Sequence, residues 1–137
     1  MNSPAPWINE AILTWQQEGI RLRPGALETY IVEMEQWLGF SFPQDFYEFY
    51  KVVNGFERYE SNKELFSLWS LETLWEEYLG SKNNEFIGIC DYMINSYQFG
   101  YLKSQPGIYR NAIGFEKVAN SLSEFIELLN ADSDLLY

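Results

Sequence analysis

The chain has 137 residues, 47% of them hydrophobic and 18% aromatic, and twenty Asp and Glu against nine Lys and Arg give a formal charge of −11. A chain this apolar forms a core and is no disordered acidic tail; its length suits one domain with a radius of gyration of roughly 14 Å. It has no His and a single Cys, Cys90, which excludes His-dependent nucleophilic catalysis, imidazole and thiolate zinc sites, a CxxC redox pair and an internal disulfide. Five segments then carry apolar residues at the helical spacing i, i+3, i+4, i+7. Ile8, Ala11, Ile12 and Trp15 define the first, started by Ser3-Pro4 and closed by Gly19. Leu27, Ile31, Met34 and Leu38 define the second, widened by Tyr30 and Trp37 and stopped at Gly39. The third is Phe46, Phe49, Tyr50 and Val53, with Ser41 and Pro43 at its start and Asn54-Gly55 at its exit, residues that tolerate the left-handed conformation.

Phe56 to Tyr59 and Leu65 to Trp69 read as short strands. The fourth helix is Leu71, Leu74, Trp75 and Tyr78, N-capped by Ser70 and stopped by Gly80. Phe86 to Ile94 is too continuously apolar for an edge strand and predicts a central strand covered on both faces. Tyr97, Phe99 and Tyr101 alternate with Gln98 and Gly100, a period of two, and Ser104-Gln105-Pro106-Gly107 has the chemistry of a type II turn leading into Ile108 to Ile113. Leu122, Phe125, Ile126 and Leu129 form the last helix, where Ser121 and Glu124 have capping-box spacing. Asp45, Glu48, Glu72, Glu76, Glu124 and Glu127 fall off the apolar stripes and are expected on the solvent side. Helices around an antiparallel run of strands make the fold class α+β. There is no internal repeat, low-complexity tract or interdomain linker.

The run from Leu38 through Pro43-Gln44-Asp45-Phe46 to Asn54-Gly55 resembles the hallmark of the SUKH superfamily: a short helix that starts with Pro and an acidic residue and ends in Asn-Gly. Cys90-Asp91-Tyr92 followed by Asn95-Ser96, and the closing segment Ser121 to Leu129, are similar to later features of the same superfamily. The resemblance spans about Pro24 to Asn130; Phe56 stands where relatives often have a second Gly. It implies an α+β domain, an antiparallel sheet flanked by helices; the domain is set at residues 24–137, and residues 1–23, outside the resemblance, are read as an N-terminal helical extension of the same folded unit. It further implies a non-catalytic immunity protein that neutralises a co-encoded bacterial toxin by stoichiometric binding. The regulatory branch of the superfamily, whose members bind cellular proteins, is the alternative. No catalytic motif comes with the family.

The charge points the same way. Acids outnumber bases two to one, which opposes binding to nucleic acid or to anionic membrane surfaces and leaves a basic protein as the natural complement. The acidity leans towards a basic nuclease among toxins. No positive n-region or membrane-length apolar run is visible, so a cytoplasmic location is expected, and no cofactor or metal is. The densest acidic stretch, Glu57 to Asp91, holds eight acids and three bases. Glu57, Tyr59, Glu60, Glu64, Glu72, Glu76, Glu77 and Glu85 are the candidate partner-binding residues, with Tyr59 as the aromatic anchor. The plainer reading makes each single carboxylate a solvated surface group. Trp75 and Tyr78 lie on an apolar stripe and are expected in the core; Trp7 and Trp37 belong in the core or at its rim. Asp91, inside the most apolar strand, needs hydrogen-bond donors, for which the Asn95-Ser96 turn is the nearest source. Cys90 is expected to be a buried, inert thiol.

Overall fold

The computed structural model describes residues 4–137; Ser3, placed at the start of the first helix above, lies outside them. The elements run α1 (Pro6–Gln17), β1 (Leu22–Pro24), α2 (Glu28–Leu38), α3 (Gln44–Tyr50), β2 (Val53–Phe56), β3 (Phe66–Leu68), α4 (Leu71–Gly80), β4 (Phe86–Tyr92), β5 (Tyr97–Leu102), β6 (Gln105–Ala112), β7 (Gly114–Ala119), α5 (Leu122–Asn130) and a final 3₁₀ turn (Asp134–Leu136). Strands β3 to β7 form an antiparallel meander in sequence order, and β1 pairs with β2 in a separate antiparallel ribbon. The α+β class read from the sequence is what forms.

All five expected helices are present, because their apolar periodicity gives each a face to bury. The main core gathers Ile8, Ala11 and Trp15 from α1, Ile31 and Met34 from α2, Phe46, Phe49 and Tyr50 from α3, and Leu122, Phe125, Ile126 and Leu129 from α5 against one face of the sheet. Phe99 meets Phe125 with ring centroids 5.4 Å apart. The indole of Trp15 stands edge-on to Phe56 at 5.0 Å and donates from Nε1 to Asn130 Oδ1 at 2.8 Å, which ties α1 to α5. Helix α2 ends at Gly39, whose φ of +68° is left-handed. The free carbonyl of Leu38 there accepts from the Lys103 ammonium, which also bonds the Tyr78 hydroxyl at 2.9 Å. The opposite sheet face carries a smaller cluster of Phe86, Leu102 and Tyr109.

Several expectations are corrected. Val53 belongs to β2, not to the third helix, and Asn54-Gly55 lies in that strand. The apolar run at Phe86 ends as a strand at Tyr92, and Met93 to Ser96 form the hairpin loop. Pro106-Gly107 is inside β6 rather than at a turn; the turn is Lys103-Ser104, with Leu102 opposite Gln105. Its position follows from the residue just before β4, Glu85, which accepts Lys103 N–H through its carbonyl at 2.9 Å and Ser104 N–H through its carboxylate at 2.7 Å. Strands β1 and β7 carried no period-two signal; β7 is an edge strand exposed over most of its length. Asp45 is not a solvent-side group, since its Oδ2 accepts the Ser123 N–H at the start of α5 at 3.1 Å. In the capping box, Ser121 Oγ accepts Glu124 N–H as expected, but the Glu124 carboxylate returns to Asn120 N–H, one residue early. Trp75 and Tyr78 are only partly buried and pack at the rim of the core.

The Asn54-Gly55 pair fixes the junction between β3 and α4. Asn54 is buried; its Oδ1 accepts Leu71 N–H at 2.8 Å and its Nδ2 donates to Glu72 Oε1 at 3.0 Å, satisfying the N-terminal end of α4. Ser70 Oγ accepts Thr73 N–H at the same end. Gly55 has φ +69°, and a Cβ there would sit 2.4 Å from the Trp69 carbonyl oxygen. Gly55→Ala combines a left-handed penalty with a backbone clash and is expected to lower unfolding stability by about 2 kcal/mol or more. Gly80→Ala, where a Cβ meets nothing within 4 Å, should leave it unchanged or raise it. Urea denaturation of both variants measures the contrast.

Candidate functional site

Trp69 follows directly from β3, and its position decides the site. Its carbonyl accepts the Tyr50 hydroxyl at 2.7 Å, and its ring covers Gly88 on β4, where a Cβ would come within 2.6 Å of the indole. The indole N–H therefore points along the outer sheet face to Asp91 Oδ2, 2.7 Å away. Asp91 stands opposite Ser67 on β3 and Gln98 on β5, so neither cross-strand neighbour brings a charge.

Above these two side chains opens a groove of about 500 Å³. Trp69 and Asp91 line its floor; Thr73, Glu76 and Glu77 of α4 form one wall, the loop from Glu57 to Ser61 a second, and the hairpin loop Met93 to Asn95 a third. Tyr59 and Ile94 on its rim are each 94% exposed. The backbone here is unusual: Tyr59, Leu65, Met93, Ile94 and Asn95 line the groove, and all five are non-glycine residues with φ between +51° and +73°. Left-handed conformations cost an L-residue about 1–2 kcal/mol each, most of all a β-branched one such as Ile94. Such outliers concentrate where a fold holds side chains in place for use.

Of the eight candidate partner-binding residues, the structure brings Glu57, Tyr59, Glu60, Glu76 and Glu77 to this groove. The other three lie elsewhere. Glu72 bonds Asn54 and lies 3.6 Å from Arg23, Glu85 closes the β5–β6 turn, and Glu64 is partly buried, which pushes its carboxyl up from the usual range. Within the groove the acids differ too. Glu60 accepts both the backbone N–H of Arg21 at 2.8 Å and its guanidinium at 3.2 Å, which hold its carboxyl below the ordinary value. Glu76 accepts Arg58 with both oxygens at 3.0 Å. Asp91 is pushed up by burial, against the pull of the Trp69 indole and the Asn95 backbone N–H. The hydrogen-bond donor is the Trp69 indole rather than the expected Asn95-Ser96 turn, where Ser96 N–H goes to the Tyr92 carbonyl and the Asn95 N–H adds only a secondary pull.

Leu65, Met93 and Ile94 carry no sequence signal as groove residues, since apolar letters beside a strand look like strand, and Thr73 is a single polar residue off the apolar stripe of α4. Cys90 is fully buried, and burial raises its thiol well above the ordinary range. Among the described residues no group of three or more Cys, Asp and Glu is arranged to hold a metal ion, and no helix is long and apolar enough to cross a membrane.

Comparison with protein families matches residues 25–128 to the SMI1 / KNR4 family (SUKH-1). That span nearly coincides with the stretch whose residues resemble the SUKH superfamily, and it includes the whole groove. Curated proteins give no match to the chain.

The raised Asp91 carboxyl has a consequence for stability. A folded-state value above the unfolded 3.8 means that the native protein holds this proton more tightly, so Asp91 favours folding below that pH and loses the contribution as pH rises through its titration. Asp91→Asn removes the effect. Urea unfolding from pH 3 to 7 should show wild type losing stability relative to the variant as pH rises.

Proposed function

This chain belongs to the SMI1 / KNR4 family (SUKH-1), and from that premise we propose that it works by binding another protein, as an immunity protein that neutralises a co-encoded toxin stoichiometrically. The toxin docks on the groove between α4 and the two left-handed loops. The observation that carries this reading is the ring of five left-handed, non-glycine residues around one groove, which displays Tyr59 and Ile94 to solvent at a cost in stability. A fold gains nothing by itself from holding Ile94 almost fully exposed on a strained turn; a partner that buries it does.

The partner is cationic. Five acids and one base line the groove, within a chain of charge −11. Long-range attraction of this kind raises association rates and is screened by salt, with a Debye length of roughly 10 Å at 0.1 M. The chain then needs no chemistry of its own: covering the active site of the toxin, or a surface the toxin needs, suffices.

Co-expression with the product of the neighbouring gene, scored for growth rescue and for one-to-one co-purification, tests the proposal. Rescue with a stable complex is expected. Failure of both, or a partner of regulatory type without toxicity, overturns the immunity reading. In the complex, Tyr59→Ala should weaken binding by roughly thirtyfold, the loss typical of an aromatic hot spot, while leaving the unfolding midpoint unchanged. Ile94→Gly should relieve the left-handed strain and raise stability by about 0.5–1 kcal/mol after the entropy cost of Gly, yet weaken the complex. Calorimetric titration and urea denaturation on the same samples read both signs.

A further inference from the structure

We infer that the groove floor is a receptor for one arginine side chain of the partner, with the Asp91 carboxylate as its counter-ion. This rests on the docking reading above and makes its central contact specific.

Asp91 is a partly buried acid on the groove floor with no charge to answer it. Among the described residues it has no ion-pair partner; its cross-strand neighbours Ser67 and Gln98 are neutral. The base lining the groove, Arg58, gives its guanidinium to Glu76. The Trp69 indole donates to the carboxylate at 2.7 Å, and the Asn95 backbone N–H also favours its charged form. They orient it but do not cancel its charge, and a partly desolvated anion facing an open cavity gains most from a cation that enters with it. Glu57 and Glu77, which also line the groove, deepen the negative field along the approach.

The cavity selects among cations. Leu65, Trp69, Met93 and Ile94 supply mostly apolar walls, against which a strongly hydrated ammonium loses more solvation than a guanidinium does. A guanidinium lays its planar face and aliphatic stem on such walls while its N–H fork meets a carboxylate. About 500 Å³ is more than one side chain fills, which leaves space for the backbone on either side of the arginine. The floor is already set before binding: Tyr50 and Gly55 fix the Trp69 backbone, and its ring is wedged over Gly88. Little ordering then remains to oppose association.

The test uses the intact protein and a small probe, so that it does not depend on the identity of the partner. The Trp69 indole N–H resonance, assigned by its loss in Trp69→Phe, is followed by NMR at low salt during titration with N-acetylarginine methylamide. Parallel titrations use the lysine analogue and the neutral, nearly isosteric citrulline analogue. A saturable shift in the millimolar range is expected for arginine, a weaker one for lysine and none for citrulline. Asp91→Asn should reduce arginine affinity on the order of tenfold or more. Thr73→Lys, which tethers an ammonium to the α4 wall while Ser70 still caps the Thr73 backbone N–H, should compete with the probe, and Glu64→Gln should change nothing. Equal shifts with arginine and citrulline, no saturable shift, tighter binding of lysine, or an unaffected Asp91→Asn variant would overturn the inference. If the probe fails while the toxin still co-purifies, the arginine receptor is wrong and docking on the groove stands; if the probe binds and no partner is captured, the reverse holds.

Discussion

The contact between the Asn54-Gly55 backbone and the Trp69-Ser70-Leu71 junction is the constraint from which the rest of the molecule is built. Gly55 lies so close to Trp69 that no Cβ fits, Tyr50 caps the Trp69 carbonyl, and Asn54 satisfies the Leu71 N–H. One short stretch after α3 thereby joins the β1–β2 ribbon to the meander and sets where α4 begins. It also sets the direction of the Trp69 indole. The motif that marks the family is therefore a splice between two substructures, and the groove floor is its far side.

Seen from the groove, acidic residues of one type have different physical roles. Asp45 works as a cap on the Ser123 N–H at the start of α5. Glu60 fastens the β2–β3 loop to Arg21, and Glu85 decides where the β5–β6 chain turns. Burial raises the Asp91 carboxyl against the pull of the neutral Trp69 indole, while the Arg21 backbone N–H and guanidinium lower that of Glu60. A net charge of −11 says nothing about this division, because each role depends on which backbone N–H or guanidinium the fold brings to the oxygen atoms.

Helices were the most legible part of the chain. Their signal is local: a stripe of apolar residues, a Ser or Pro before it and a Gly after it, and these physical devices act within one turn of the chain. Strands with two buried faces or clear alternation, β4 and β5, were legible for the same reason, although Met93 and Ile94 extended the apparent run past its end. The edge strand β7 was not, because its exposed residues carry no alternation and its existence depends on pairing with β6. Pro106-Gly107 has strong turn chemistry, yet the turn falls at Lys103-Ser104, where Glu85 on a distant part of the chain accepts both N–H groups. Local preference yielded to a long-range hydrogen-bond pair.

By itself the sequence determined the α+β class, the five helices, the family resemblance, the missing imidazole and disulfide chemistry, and the acidic stretch from Glu57 to Asp91. These follow from composition and near-neighbour periodicity, which need no knowledge of what lies opposite. Only the tertiary structure decided which acids share a groove, that Trp69 and Asp91 form its floor, and that Leu65, Met93 and Ile94 are displayed rather than buried. Those facts depend on side chains from β3, α4 and two loops converging across the sheet, and on backbone angles that the loops adopt only once the sheet has closed around them.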